Sequence, residues 1–265
     1  MTNIDISALN QIGYASQFVD RDVEHVVRTF HHHCFSCAGS SLDQRVSTPY
    51  LSPADLLRTE TRESRFSHIS DIIAGRPTST QTAVSRWPSA KEGRPGIVEF
   101  ATVAEIVGKA IGADQQGRRP YASGGALYSA ETVAVTGEMV SGVPPFSVAH
   151  YLPGSNRFEI LPSRFDRARF DGVTPFKGAA FYLGYFVNLK RATFKYRSRG
   201  YRLALLEIGS MYHQVAAVAQ QHGLASRVLA GFSEYAFTKD CGLDSRLLLP
   251  VVVQAFGLPG GEDVQ

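Results

Sequence analysis

Cysteine is scarce: three residues in a chain of 265. A small, odd number cannot form a disulfide framework at this length, so a reducing compartment, the cytoplasm, is the expected setting. Charge of one sign is lacking too, with 27 Lys and Arg against 24 Asp and Glu and a net charge of +3. That excess is not gathered into one long stripe, so the electrostatic footprint of a nucleic-acid binder is missing. Long apolar runs are absent; the longest candidate, 247–256, is short and contains Pro250. The first residues, Met1-Thr2-Asn3-Ile4-Asp5-Ile6, carry neither the basic nor the apolar segment of a secretion signal. Neither the spacing of a P-loop nor a Rossmann fingerprint occurs. No nucleic-acid partner and no membrane are therefore expected.

What remains is an ordinary globular composition, 44% hydrophobic, long enough for one large domain or two small ones. Residues 1–75 alternate short helical patches with polar breaks and read as an accessory region apart from a main domain over 76–265. Within them, residues 23–30 are periodic (Val23, Val26, Val27, Phe30), and Ser52-Pro53-Ala54-Asp55 opens a capped helix. Residues 75–96 are rich in Ser, Thr, Pro and Gly and read as a surface connection. Thr102-Val103-Ala104-Glu105 has the form of a capping box before a helix that ends at Gly112. Strands are expected over 131–135, 147–152, 179–189 and 251–256, and a helix over 203–222 stopped by Gly223. Strands and helices mixed without strict alternation indicate an α+β fold.

Two stretches carry chemistry. Phe194-Lys195-Tyr196-Arg197-Ser198-Arg199-Gly200-Tyr201-Arg202 sets a Lys beside a Tyr among fixed positive charges, a supply of proton-transfer groups. A solvated basic turn is the plainer reading. Arg118-Arg119-Pro120-Tyr121-Ala122-Ser123-Gly124-Gly125-Ala126-Leu127-Tyr128 is a loop whose consecutive glycines let backbone approach a flat ligand or a phosphate, with Ser123 as a short donor. A third stretch, His31-His32-His33-Cys34-Phe35-Ser36-Cys37, holds a Cys-x-x-Cys beside histidines. A structural zinc site needs four ligands, usually as two separated pairs, and the remaining cysteine, Cys241, is distant. No metal is assigned, and a helix end with ordinary buried cysteines is the alternative. The single Trp87 is read as packing.

Taken in order with Gly209-Ser210-Met211-Tyr212 and Ala230-Gly231-Phe232, these motifs resemble the FMN-dependent azoline dehydrogenases of microcin-type synthetases, members of the nitroreductase-like fold. The resemblance spans 118–257 and is looser before it. It implies an antiparallel-rich sheet flanked by helices, with an N-terminal accessory region. It further implies FMN bound at a homodimer interface, oxidation of peptide thiazolines and oxazolines to azoles, and work beside cyclodehydratase subunits, one using ATP and one binding the leader of the precursor peptide. By the same resemblance Lys195 and Tyr196 are catalytic, one as base and the other orienting it. Ser123, Gly124, Gly125, Ala230 and Gly231 line the flavin. The family usually has Pro where Ala122 and Ser129 stand here, and its phosphate cluster is matched only by Arg86, Ser89 and Lys91, with Arg94 as competitor. Arg199 and Arg202 either contact substrate or flavin or form ion pairs, for instance with Glu207. Two other functions fit the sequence: a general NAD(P)H-dependent nitroreductase, and a subunit that has lost its flavin and serves as scaffold.

Overall fold

The computed structural model describes residues 21–33, 52 and 87–260. The chain forms two compact units, residues 1–38 with 87–265, and residues 39–86. The described helices and strands all belong to the first unit. The capped helix expected at Ser52, the two cysteines of the His-Cys stretch and Arg86 lie outside the described residues.

In chain order the elements are α1 (Arg21–His33), β1 (Gly93–Arg94), β2 (Val98–Glu99), α2 (Phe100–Ile111), β3 (Ala130–Thr136), β4 (Val140–Ser141), β5 (Val148–Leu152) and β6 (Arg157–Leu161). They continue as α3 (Arg167–Asp171), β7 (Phe181–Asn188), α4 (Leu189–Tyr196), α5 (Ser198–Gln221), β8 (Ala225–Leu229), α6 (Glu234–Asp240) and β9 (Leu248–Pro259). Among the described residues, seven strands make an antiparallel sheet in the order β1-β9-β7-β3-β5-β6, with β8 also paired to β9. β2 and β4 form a separate parallel pair.

β7 reads as one apolar run because both of its faces are buried. Phe181, Leu183, Tyr185 and Val187 face a core closed by α1, α2 and α5. Tyr182 and Phe186 enter a second core with Phe170, Phe176, Phe232 and Phe237. Each such burial contributes roughly 1.5–3 kcal/mol. β9 begins earlier than its apolar run suggested and runs through Pro250, which sits opposite Phe186 where the register shifts. A proline, lacking a donor, is tolerated inside a sheet at such an irregularity.

The start of α2 and the buried face of α1 differ from expectation. α2 starts at Phe100 and its N-cap Glu99 makes no side-chain cap bond, so the apparent capping box at Thr102 lies inside the helix. β2 hands the chain straight into α2, and the apolar face of Val103, Ile106, Val107, Ala110 and Ile111 decides the element. In α1 the buried positions are Val27 and His31, while Val26 and Phe30 are 59% and 58% exposed. His31 turns inward to bond Tyr201 of α5, Nδ1 to hydroxyl 2.5 Å. The Arg28 guanidinium reaches the backbone carbonyl of Arg246. α1 is thus part of the same compact unit as residues 87–265.

β7 and β8 both lie antiparallel to β9, so they run parallel to each other. Their C-terminal ends and the start of β3, where Ala130 pairs with Val187, share one end of the sheet. Among the described residues no helix is long and apolar enough to cross a membrane.

Candidate active site

At that end of the sheet the basic stretch resolves into two helix ends and a break. Asn188 caps α4 by accepting the N–H of Arg191 at 3.2 Å. The helix closes when Arg197 N–H donates to the Thr193 carbonyl at 2.9 Å, and Arg197 itself takes φ 52°. α5 starts at once. Gly200 is required there, because a Cβ would collide with the backbone carbonyl of Ala192. Helix α4 therefore presents Phe194 and Lys195 exposed and Tyr196 half-buried. The Lys195 ammonium lies 5.3 Å from the Tyr196 ring centroid.

The glycine loop arrives from the other side. Arg119 fixes its base: its backbone N–H meets the Tyr128 hydroxyl at 3.2 Å, and its guanidinium donates to the Tyr121 hydroxyl at 2.7 Å. The guanidinium also covers the Tyr128 ring at 4.5 Å. Burial pushes the Tyr121 phenol up. At the crest, Gly125, Ala126 and Tyr128 all take positive φ, 64°, 55° and 47°. Such clustered backbone strain persists only where surroundings enforce it and gathers at functional sites. The missing side chains of the two glycines face protein rather than empty space. A Cβ on Gly124 would stand 2.8 Å from Leu203 Cδ1, and one on Gly125 would stand 2.9 Å from Tyr196 Cε2. The Ser123 hydroxyl donates to Glu207 at 2.5 Å and accepts Tyr128 N–H at 2.9 Å, so its donor serves the loop itself.

Of the other residues singled out by sequence, Ala230 and Gly231 are exposed between β8 and α6, and the space beside the Gly231 Cα is open. Ser89 and Lys91 are exposed beside the start of β8, where Ala90 N–H bonds the Ser226 carbonyl at 3.2 Å. Trp87 packs on the second core, and its backbone N–H donates to the Gln220 side-chain oxygen at 2.9 Å. Arg199 and Arg202 are exposed. Among the described residues, Glu207 bonds Ser123 and Ala130 rather than either arginine.

An FMN would need flat, open backbone beside its ring and cationic or hydroxyl donors one molecule-length away. Gly231 offers the first. Ser89 and Lys91 offer the second, about five strand residues back along β8, roughly 15 Å. The residues present fit the group.

Sequence reasoning did not find the supporting roles of Glu207, Arg191, Glu131 and His31. Glu207 is 2% exposed and binds both Ser123 and Ala130; its signal was an acid in the buried phase of an otherwise apolar helix face. Arg191 donates to the Tyr128 carbonyl at 2.9 Å and pairs with Glu131 at 3.2 Å. Burial opposes the Glu131 charge, but hydrogen bonding to His150 and the nearby Arg191 outweigh it and hold the carboxyl low. His31, buttressing Tyr201, had no signal beyond its helical phase with Val27.

The microcin B17-processing protein McbC of Escherichia coli is 31% identical over 261 residues, covering 91% of this chain and 93% of McbC. The chain belongs to the McbC family. A chain of the solved E. coli microcin synthetase McbBCD complex, with truncated pro-MccB17 bound, matches at TM-score 0.83 and 28% identity, over 94% of this chain and 97% of its own. A nitroreductase structure from Ralstonia eutropha JMP134 matches at TM-score 0.57 and 15% identity, over 70% of this chain and 89% of its own. Another from Anabaena variabilis matches at 0.56 and 17%, over 66% and 37%. These last two show the fold alone, which is nitroreductase-like and α+β. No family model matches the sequence. As an McbC-family member the chain is an oxidoreductase, and its Lys-Tyr and glycine-loop motifs meet in one place.

Proposed function

We propose that the chain oxidises thiazoline and oxazoline rings in a ribosomally made peptide to thiazoles and oxazoles, as an FMN-dependent subunit of a cytoplasmic microcin-type synthetase. The observation that carries this reading is the packing of Tyr196 on Gly125, with Lys195 beside it. An azoline Cα–H is acidified by the adjacent carbonyl and imine. Removing that proton, together with a hydride from the neighbouring ring CH₂, leaves an aromatic azole. Bound FMN supplies the two-electron acceptor.

The chain's own residues supply position and proton transfer. Lys195 and Tyr196 form the proton-transfer pair, one group taking the Cα proton and the other holding it in line. Ala230 and Gly231 would give backbone contacts to the flavin ring, a role supported by the open space beside Gly231, and Ser89 and Lys91, with Arg86, would take the phosphate. Gly125 of the Ser123-Gly124-Gly125 loop packs on Tyr196, and the loop borders the flavin. Two copies pair through α5, whose Leu206 is 64% exposed with the small Gly209 and Ser210 one turn on. Cyclodehydratase partners, one using ATP and one binding the leader of the precursor peptide, would deliver the azolines; the E. coli synthetase complex with its truncated pro-peptide bound supports synthetase partners and a peptide substrate.

The test incubates purified chain with an azoline-bearing peptide. A yellow protein and a mass loss of about 2 Da per ring are expected. A colourless protein that leaves the peptide unchanged would instead be a scaffold. Rapid NAD(P)H oxidation with an unchanged peptide would make it a nitroreductase.

A further inference from the structure

Glu207 is the only acidic residue between Leu189 and Gln221, and it is 2% exposed. A carboxylate at that depth is costly unless its oxygens are hydrogen-bonded. Both are, and they grip the two ends of one loop. One accepts the Ser123 hydroxyl at 2.5 Å and the other accepts the Ala130 N–H at 3.0 Å. Ser123 in turn accepts Tyr128 N–H at 2.9 Å. The crest held between these ends carries Gly124, lying on Leu203 of the same helix as Glu207, and Gly125, lying on Tyr196. From α4, Arg191 holds the Tyr128 carbonyl at 2.9 Å. The loop is thus fixed to both helices that meet at Arg197, and its crest bears on the phenol between them.

We propose that Glu207 is a positioning residue for the oxidation: by clamping Ser123 and Ala130 it sets the crest at Gly125 and, through it, the orientation of Tyr196. This rests on the reading of Lys195 and Tyr196 as the proton-transfer pair. Only a carboxylate of this length serves. Glutamine has one acceptor oxygen, so its NH₂ must face either Ala130 N–H, donor against donor, or Ser123, whose hydroxyl proton is then displaced. Aspartate is one methylene short.

The experiment uses the full-length, FMN-loaded chain with variants Glu207→Gln and Ser123→Ala, the second leaving the buried carboxylate bonded to Ala130. Two readouts are taken: steady-state oxidation of an azoline-bearing peptide, and tetranitromethane nitration of Tyr196 mapped by mass spectrometry. Both variants should lower kcat about tenfold with KM within about twofold. Nitration of Tyr196 should rise severalfold while that of Tyr235, 66% exposed, stays constant. Unchanged Tyr196 nitration in folded Glu207→Gln, or in Ser123→Ala alone should the first variant not fold, would reduce Glu207 to a stabilising group and overturn the proposal. Failure of the underlying reading looks different: Tyr196→Phe would then oxidise azolines at the wild-type rate, whatever nitration reports.

Discussion

The ring of Tyr196 occupies the space that a side chain at residue 125 would fill. Two motifs far apart in sequence are therefore in contact, and the glycine admits the tyrosine. At Gly125→Ala the new methyl meets the Tyr196 ring, and φ 64° adds a left-handed strain of about 1–2 kcal/mol. Azole formation should fall about tenfold or more. Gly117→Ala is the control: φ is 75° but nothing lies within 4 Å, so stability should drop similarly while turnover holds.

Removing the proton-transfer pair should be far more severe. Tyr196→Phe and Lys195→Ala should each lower kcat by about 10²-fold or more while the flavin absorbance of the purified protein is unchanged. The variant with the larger loss identifies the base. Wild-type turnover in either one removes that residue from the mechanism.

His31 makes a pH-dependent contribution to stability. Burial, then the neighbouring His32 and Arg28, lower its pKa from 6.5 to about 4. Above 6.5 the ring is neutral in both folded and unfolded chains. As pH falls from 6.5 towards 4, the unfolded chain binds a proton that the folded one refuses, so stability is lost across that window, by on the order of 3 kcal/mol. Urea midpoints of wild type should drop between about pH 7 and about pH 4.5, and the drop should shrink in His31→Gln, which keeps a partner for Tyr201 without titrating. Equal slopes in the two proteins would mean His31 is not the group responsible.

Pairing of two copies through α5 is tested by charge. Leu206→Glu places a carboxylate at the centre of the exposed face and should convert a dimer to a monomer in sedimentation velocity, with loss of bound FMN. Val26→Glu, on the 59% exposed face of α1, should leave the mass unaltered. A monomeric wild type, or an unaffected Leu206→Glu dimer, would remove α5 from the interface.

The elements that were legible had one strong local signal. β3, β5 and β7 match the expected strands within about two residues, because alternating or continuous apolar residues fix them regardless of neighbours. β6 and β8 were not seen: exposed residues dominate β6, and β8 is only partly buried, so neither shows an apolar run. α4 was hidden because a capped helix of eight residues carrying three cations looks like a basic turn until Asn188, Arg197 and Gly200 define its ends. In α1 the apolar period pointed to Val26 and Phe30, but the partner helix offered Tyr201, and His31 took the inward place.

Sequence alone determined the fold class and the kinship carried by the Lys-Tyr and Ser-Gly-Gly motifs, since these depend on residue type and order. Only the tertiary structure decided what those residues touch. The glycines admit Tyr196 and Leu203, Ser123 answers to Glu207, and α1 belongs to the main body through His31. The physical reason is common to all three. A hydrogen bond or a van der Waals contact between distant segments leaves no local periodicity, and exists only once the sheet has brought its strand ends together.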